Sequence, residues 1–269
     1  MKDILTAPFL AEMIRTGSDM YAHGWDERNG GNLSVILDES EVSQYLNTKN
    51  VLRTFDTGFT APGLDGKYLL ITGTGKYFRN MKYRTADDLG IIRIAEGGSK
   101  AELVWGFEDG GRCTSELAAH LMSHAARLEQ DPLHRVVTHC HPTNILAMTF
   151  VHSLDERAFT HSLWQMITEC IFVFPEGVGV LPWMLCGTEE IGRATAEKMK
   201  DFRLVVWAQH GIYGTGRSLD EAFGLIETAE KAAEVYIKTA HLPRLNTITD
   251  EQLRITADHF GVKIKDGWL

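Results

Sequence analysis

Residues 135–144, RVVTHCHPTN, set two histidines two positions apart at the end of a β-branched run. Val136, Val137 and Thr138 favour an extended backbone and Pro142 blocks its continuation, so the segment reads as a short buried strand that stops at its histidines. Side chains at i and i+2 of a strand share a face and lie roughly 6–7 Å apart. His139 and His141 therefore converge on one side, with Cys140 on the other. Such a pair is half of a transition-metal site. It is equally a pair of hydrogen-bonded histidines in a wet cleft, and only further ligands decide.

A strand of this kind needs a sheet around it, and the chain offers one in mixed order. Phe9, Leu10, Met13, Ile14 and Tyr21 form a helical stripe over residues 8–25 that ends near Gly24. Strand-like pieces follow at 32–37, 67–72, 89–95 and 101–105, broken by Gly and Asp clusters. Residues 38–66, polar and containing Gly and Asp, read as an irregular insertion. A helix over 115–130 precedes the histidine strand, and helical stretches follow at 144–154 and 161–168. Residues 170–174 and 204–209 read as buried strands flanking a helix at 188–201. Ser218 and Glu221 form a capping box for a long helix reaching about residue 240, and Thr249 with Gln252 repeats that signal before a short terminal helix. There is no internal repeat, low-complexity segment or Pro/Ser-rich linker. One α/β domain over 1–269, with 241–269 as a C-terminal tail, is the simplest account, and a strictly alternating βαβ wind is not evident.

Composition narrows the function classes. A net charge of −9 without any basic run argues against a nucleic-acid partner or an anionic membrane surface, because phosphate backbones demand clustered Lys and Arg. No stretch approaches the roughly 20 apolar residues that cross a bilayer. The amino terminus, MKDILTAPFLAEMI, carries Asp3 and no uninterrupted apolar core, so it does not read as a signal peptide. Cys113, Cys140, Cys170 and Cys186 show no C-x-x-C spacing, which leaves a zinc ribbon, a thioredoxin motif and a disulfide framework unsupported. A reducing cytoplasm is the expected location.

His210, in LVVWAQHGIYGTG, again closes an apolar β-rich run and is followed by glycine, where the backbone can turn tightly. It is a third imidazole for the first pair, or a turn cap. Glu116, in RCTSELAAH, is the carboxylate candidate: with Thr114 or Ser115 as N-cap it falls in the first helical turn, where free amides and the helix dipole favour an anion. His120 and His124 share a helix face with Glu116, but residues 121 and 122 are Leu and Met, so the catalytic Glu of an H-E-x-x-H site is missing. Hydrogen-bonded, partly buried histidines are the expectation there. The glycine turns RNGGNLS and LLITGTGKYF expose backbone N–H groups that can cradle an anion, helped by Asn29, Asn32 and Thr74, or are plain loops. Neither is a nucleotide motif.

Six segments in order, GWDERNGGNLS, ITGTGKYFRN, CTSELAAH, THCHPTN, TECIFVFPEGVGVLPW and QHGIYGTG, resemble the class II aldolase/adducin superfamily over nearly the whole chain. The likeness is weakest over 38–66 and after His241. It implies α/β/α layers around a largely antiparallel central sheet, assembled as a homotetramer with active sites at subunit interfaces. It implies one zinc ion per subunit held by His139, His141 and His210, with Glu116 beside it as the proton-transfer base. Glu169 matches a position that enters a neighbouring subunit's site and helps protonate or orient the aldehyde end. Asn29, Gly31, Asn32, Thr74, Gly75 and Ser115 fall where the family binds substrate phosphate.

The implied reaction is reversible cleavage of L-rhamnulose 1-phosphate to dihydroxyacetone phosphate and L-lactaldehyde, through a metal-stabilised enediolate. The same resemblance leaves open a related 1-phosphoketose such as fuculose 1-phosphate, a phosphoketose 4-epimerase, or a non-catalytic adducin-like scaffold. Retention of all three histidines and Glu116 speaks against the scaffold, which has no need of them.

Overall fold

The computed structural model describes all 269 residues. Its strands are β1 (Asn32–Leu37), β2 (Arg53–Asp56), β3 (Tyr68–Thr72), β4 (Leu89–Ala95), β5 (Lys100–Gly106), β6 (Val136–Cys140), β7 (Gly179–Leu181), β8 (Leu204–Trp207) and β9 (Gly211–Gly216). They form one sheet in the order β2-β5-β4-β3-β1-β6-β9-β8-β7, antiparallel throughout except for the β7–β8 pair. The helices are α1 (Pro8–Ala22), α2 (Glu39–Val42), α3 (Thr85–Asp88), α4 (Leu117–Gln130), α5 (Thr143–Val151), α6 (Glu156–Trp164), α7 (Cys170–Val173), α8 (Glu189–Met199), α9 (Leu219–Thr239) and α10 (Asp250–Phe260). None is long and apolar enough to cross a membrane.

Every residue of β1, β3 and β6 is buried, so the centre of the sheet is covered on both faces. On one face Leu33, Val35, Leu37, Val136 and Ile212 pack with Leu10 and Met13 of α1, Ile145 and Met148 of α5, and Leu225 and Ile226 of α9. On the other, Ile36 meets Leu121 of α4, and Val137 and Tyr213 meet Ile191 of α8. The result is the expected α/β/α layering. Burial of these large apolar side chains contributes about 1.5–3 kcal/mol each.

Several elements differ from the sequence reading. Residues 170–174 are not a strand: α7 occupies 170–173, and Phe172 stacks on Phe260 of α10 with ring centroids 4.1 Å apart. A short apolar run does not reveal its own period, and here a helix surface takes it. The sheet edge is instead β7, which the reading left out. So was β9, whose glycines look like turn residues. A Cβ on Gly214 would sit 2.8 Å from Ala222 O, and one on Gly216 3.0 Å from Ala222 N, so these glycines admit α9 against the strand. The 38–66 insertion is partly regular, carrying α2 and the edge strand β2. The Thr249–Gln252 capping box closes both ways, whereas Glu221 turns its carboxylate to the N–H of Arg217 and leaves Ser218 to cap α9 alone.

The seam between β1 and α4 is polar. Ser34 Oγ lies 2.6 Å from His120 Nδ1 and 2.7 Å from His124 Nε2, and His124 Nδ1 lies 2.8 Å from His134 Nε2. All three rings are buried, whereas the sequence reading expects His120 and His124 to be only partly so. Burial pushes His120 down to about 4 and His134 to about 3, and holds His124 well below its ordinary 6.5. The folded chain therefore keeps them neutral. As pH falls through 6.5 the unfolded chain takes protons that the folded chain refuses, so their contribution to stability is complete above 6.5 and is lost below it. Urea unfolding at successive pH values is expected to show a midpoint that falls between pH 6.5 and 4, each histidine costing about 1.4 kcal/mol per pH unit over its range.

Candidate metal centre and active site

The site is set by the pairing of three strands. Asn32 of β1 lies directly across from His139 of β6, which lies across from Tyr213 of β9. His141 follows the end of β6, its N–H bonded to Trp25 O at 2.8 Å. His210 sits in the β8–β9 turn after Gln209, which adopts a left-handed φ of 58°. Thr149 of α5 holds that conformation, its hydroxyl accepting from Gln209 N and its carbonyl from Gln209 Nε2, both at 3.0 Å. Gly211 completes the turn, where a Cβ would clash with Cys140 O and stand 2.9 Å from His141 and 3.0 Å from His139.

These elements bring the three imidazoles into a nearly equilateral triangle, with ring centroids 5.1, 5.0 and 5.1 Å apart. One ring nitrogen from each lies within 4.8 Å of the others. His139 Nδ1 donates to Ile212 O at 3.0 Å, and His141 Nδ1 donates to the Glu27 carboxylate at 2.9 Å. Each Nε2 is then an unprotonated lone pair, and both are buried without a hydrogen-bond partner. A buried acceptor left unpaired costs about 1–3 kcal/mol, which a cation bound there would offset. Burial, then the neighbouring His141 and His210, holds His139 well below its ordinary value, and burial also lowers His210. Neutral imidazole is the ligand form.

Glu116 stands beside the triangle, its Oε2 3.6 Å from His139 Nε2 and its Oε1 3.9 Å from His210 Nε2. The expectation that Thr114 or Ser115 caps α4 with Glu116 in its first turn is corrected: Glu116 itself is the cap residue, and α4 begins at Leu117. Its carboxylate makes no bond to the helix amides. Instead Oε2 accepts from Asn32 Nδ2 at 2.9 Å and from the Tyr213 hydroxyl at 2.5 Å, leaving Oε1 without a donor. Tyr213 stacks on His139 at 4.4 Å, and burial, reinforced by Glu116, raises its hydroxyl well above the ordinary value, so it stays a proton donor. The sequence reading missed Tyr213, although its place two residues after Gly211 in an alternating strand would have found it. It also gave no role to Cys186, whose thiol lies within 4.8 Å of ligand atoms of Glu116 and His210.

The other candidates divide. Thr74 and Ser115 line one cavity of about 600 Å³ together with Arg53 and Arg112. A bridge between Gly73 and Cys113 joins the loops that carry them, and Gly75 turns there with φ 71°. Asn29 is exposed in the loop after α1, away from that cavity's lining. Gly31, with φ 76°, stands where a Cβ would be 3.0 Å from His139 O. Asn32 does not line the cavity; its side-chain amide is engaged by Glu116 and His120. Glu169 is exposed at the start of α7 and makes no hydrogen bond to the histidine group within its own chain. The rival His120/His124 pair has all four ring nitrogens occupied by Ser34, Asn32 and His134 and offers nothing to a metal.

Three imidazoles at strand ends with a carboxylate held beside them have the make-up of a divalent-metal centre with its own acid–base group. The chain belongs to the class II aldolase and adducin N-terminal domain family, whose model matches residues 11–237. Class II aldolases are metal-dependent lyases. The chain is 57% identical over 269 residues to rhamnulose-1-phosphate aldolase of Listeria monocytogenes, covering 100% of this chain and 98% of the relative. It is 54% identical over 268 residues to rhamnulose-1-phosphate aldolase of Enterococcus faecalis, covering 99% and 96%. Among solved structures, a sugar-phosphate aldolase from Thermotoga maritima superposes with a TM-score of 0.75 at 29% identity, covering 88% of this chain and 97% of that one.

Cys186 is exposed and the other three cysteines are buried, none of them disulfide-bonded. A thiol reagent is expected to modify one cysteine of the native protein and none of a Cys186→Ser variant, as counted by colorimetric titration and mass spectrometry.

Proposed function

We propose that the chain catalyses the reversible cleavage of L-rhamnulose 1-phosphate to dihydroxyacetone phosphate and L-lactaldehyde, with zinc held by His139, His141 and His210. The observation that carries this reading is the pair of buried, unpartnered Nε2 atoms of His139 and His141, converging with His210 beside the free Oε1 of Glu116. The names borne by the 54–57% identical relatives support the choice of sugar. Three neutral nitrogen donors leave a divalent cation its full charge and open positions, a set that suits zinc.

The cation supplies Lewis-acid stabilisation of the negative charge that develops on the ketose oxygens as the C3–C4 bond breaks. The protein supplies the proton chemistry. Asn32 and Tyr213 pin Glu116 Oε2, so that Oε1 is the oxygen free to take the C3 proton of dihydroxyacetone phosphate in the condensation direction and to return it in cleavage. Thr74 and Ser115, with the turn at Gly75, bind the phosphate and fix the reacting carbons against the histidine triangle, while Asn29 and Gly31 stand outside that cavity's lining. Asn32, placed by the sequence with the phosphate group, serves here as a holder of the carboxylate.

We further propose a cytoplasmic homotetramer in which Glu169, exposed on its own chain, enters a neighbouring copy's site and serves the aldehyde end.

Purified protein is expected to release dihydroxyacetone phosphate from L-rhamnulose 1-phosphate, to lose that activity on chelation, and to regain it with Zn²⁺. L-fuculose 1-phosphate is expected to turn over more slowly. Glu116→Gln should keep metal content while lowering kcat by about 10²–10⁴-fold, and His210→Ala should lose the metal itself. Full activity after thorough metal removal would refute the assignment.

A further inference from the structure

Glu116 is one end of a continuous file of buried hydrogen bonds, of which the chemistry above uses only the first, from Asn32. From the carboxylate the file runs through Asn32, His120, Ser34 and His124 to His134, with every member at most 7% exposed. Its direction follows from the donor and acceptor rules of neutral imidazoles. A carboxylate facing Asn32 takes the NH₂ group, so the Asn32 carbonyl faces His120, whose Nε2 must donate. His120 Nδ1 is then an acceptor and takes the Ser34 hydroxyl proton. Ser34 Oγ accepts from His124 Nε2, and His124 Nδ1 accepts from His134 Nε2. Every proton points toward Glu116, and each histidine is the Nε2–H tautomer.

An apolar seam would pack β1 on α4 without this requirement, as Ile36 and Leu121 do one step away. Buried polar groups are retained at risk, since each partner lost leaves another unsatisfied. The file cannot serve as a proton conduit, because an asparagine amide does not hand on a proton as an imidazole or hydroxyl does. What it can do is fix the Asn32 amide, which by itself could turn its carbonyl toward the carboxylate.

We propose that the file from His134 to His120 is a positioning device that locks Asn32 with its NH₂ toward Glu116 and thereby aims the free Oε1 at the substrate. This rests on the reading of Glu116 as the proton-transfer group. The low proton affinity that burial imposes on all three histidines is consistent with neutral, single-tautomer rings.

Nitrogen-15 NMR of histidine-labelled, metal-loaded protein is expected to find His120, His124 and His134 all protonated at Nε2. Ser34→Ala and His120→Leu should each lower kcat about tenfold, the scale at which outer hydrogen-bond partners of a metal site act. KM and metal content should stay within about twofold of the parent. The same loss should appear in the exchange of the dihydroxyacetone phosphate C3 proton with D₂O. His120→Gln, which keeps a donor toward the Asn32 carbonyl, should restore most of the rate.

His120 protonated at Nδ1 in the parent protein would overturn the proposal even if every variant misfolds. So would parental kcat in folded Ser34→Ala and His120→Leu, or a His120→Gln loss equal to that of His120→Leu. Loss of activity in Glu116→Gln with none in the file variants fails the positioning role alone. Full activity in Glu116→Gln fails the reading of the site itself.

Discussion

Antiparallel pairing of β1, β6 and β9 is the constraint from which the site follows. That register puts Asn32, His139 and Tyr213 in one row, on the face covered by α4 and α8. A slip of one residue in β6 would turn His139 into the opposite core and bring Cys140 to the row, because the side-chain period of a strand is two. The apolar halves of the same strands forbid such a slip. Leu33, Val35, Val136 and Ile212 must face α1, α5 and α9, so the hydrophobic layer on one side specifies the placement of chemistry on the other.

Much of this was legible in the chain. The stop of β6 before Pro142 and the i, i+2 spacing offered the first two imidazoles and the β-rich run ending in His210 offered a third, and the family resemblance joined them into one set. Local patterns of that kind survive folding because backbone propensity and burial agree in them. The short helix α10, whose capping box is written at Thr249 and Gln252, was equally plain. What sequence reasoning could not see were features decided by a neighbour. The glycines of β9 are explained by the approach of α9, and the run at Cys170 turns helical because α10 offers it a surface. Glu116 stands at the N-cap of α4 but gives the helix amides no side-chain bond, because donors from two strands claim its carboxylate.

The histidines of α4 show the same limit from another side. Their spacing alone suggested a metal pair or ordinary partly buried rings. Ser34, Asn32 and His134, none adjacent in sequence to that helix face, determine that they are wholly buried and fully bonded. A four-residue period on a helix reports which side chains are neighbours, and says nothing of what stands opposite.

Gln209 ties the two helical layers together in a way the sheet alone does not. Its left-handed backbone costs about 1–3 kcal/mol and persists because Thr149 of α5 grips it. Two of the imidazoles therefore stand at the end of β6, His139 on it and His141 just beyond, while the third is tethered to a helix on the far side of the sheet. The triangle is a gauge of the spacing between those layers: a tilt of α5 too small to disturb the core would still open one corner of it.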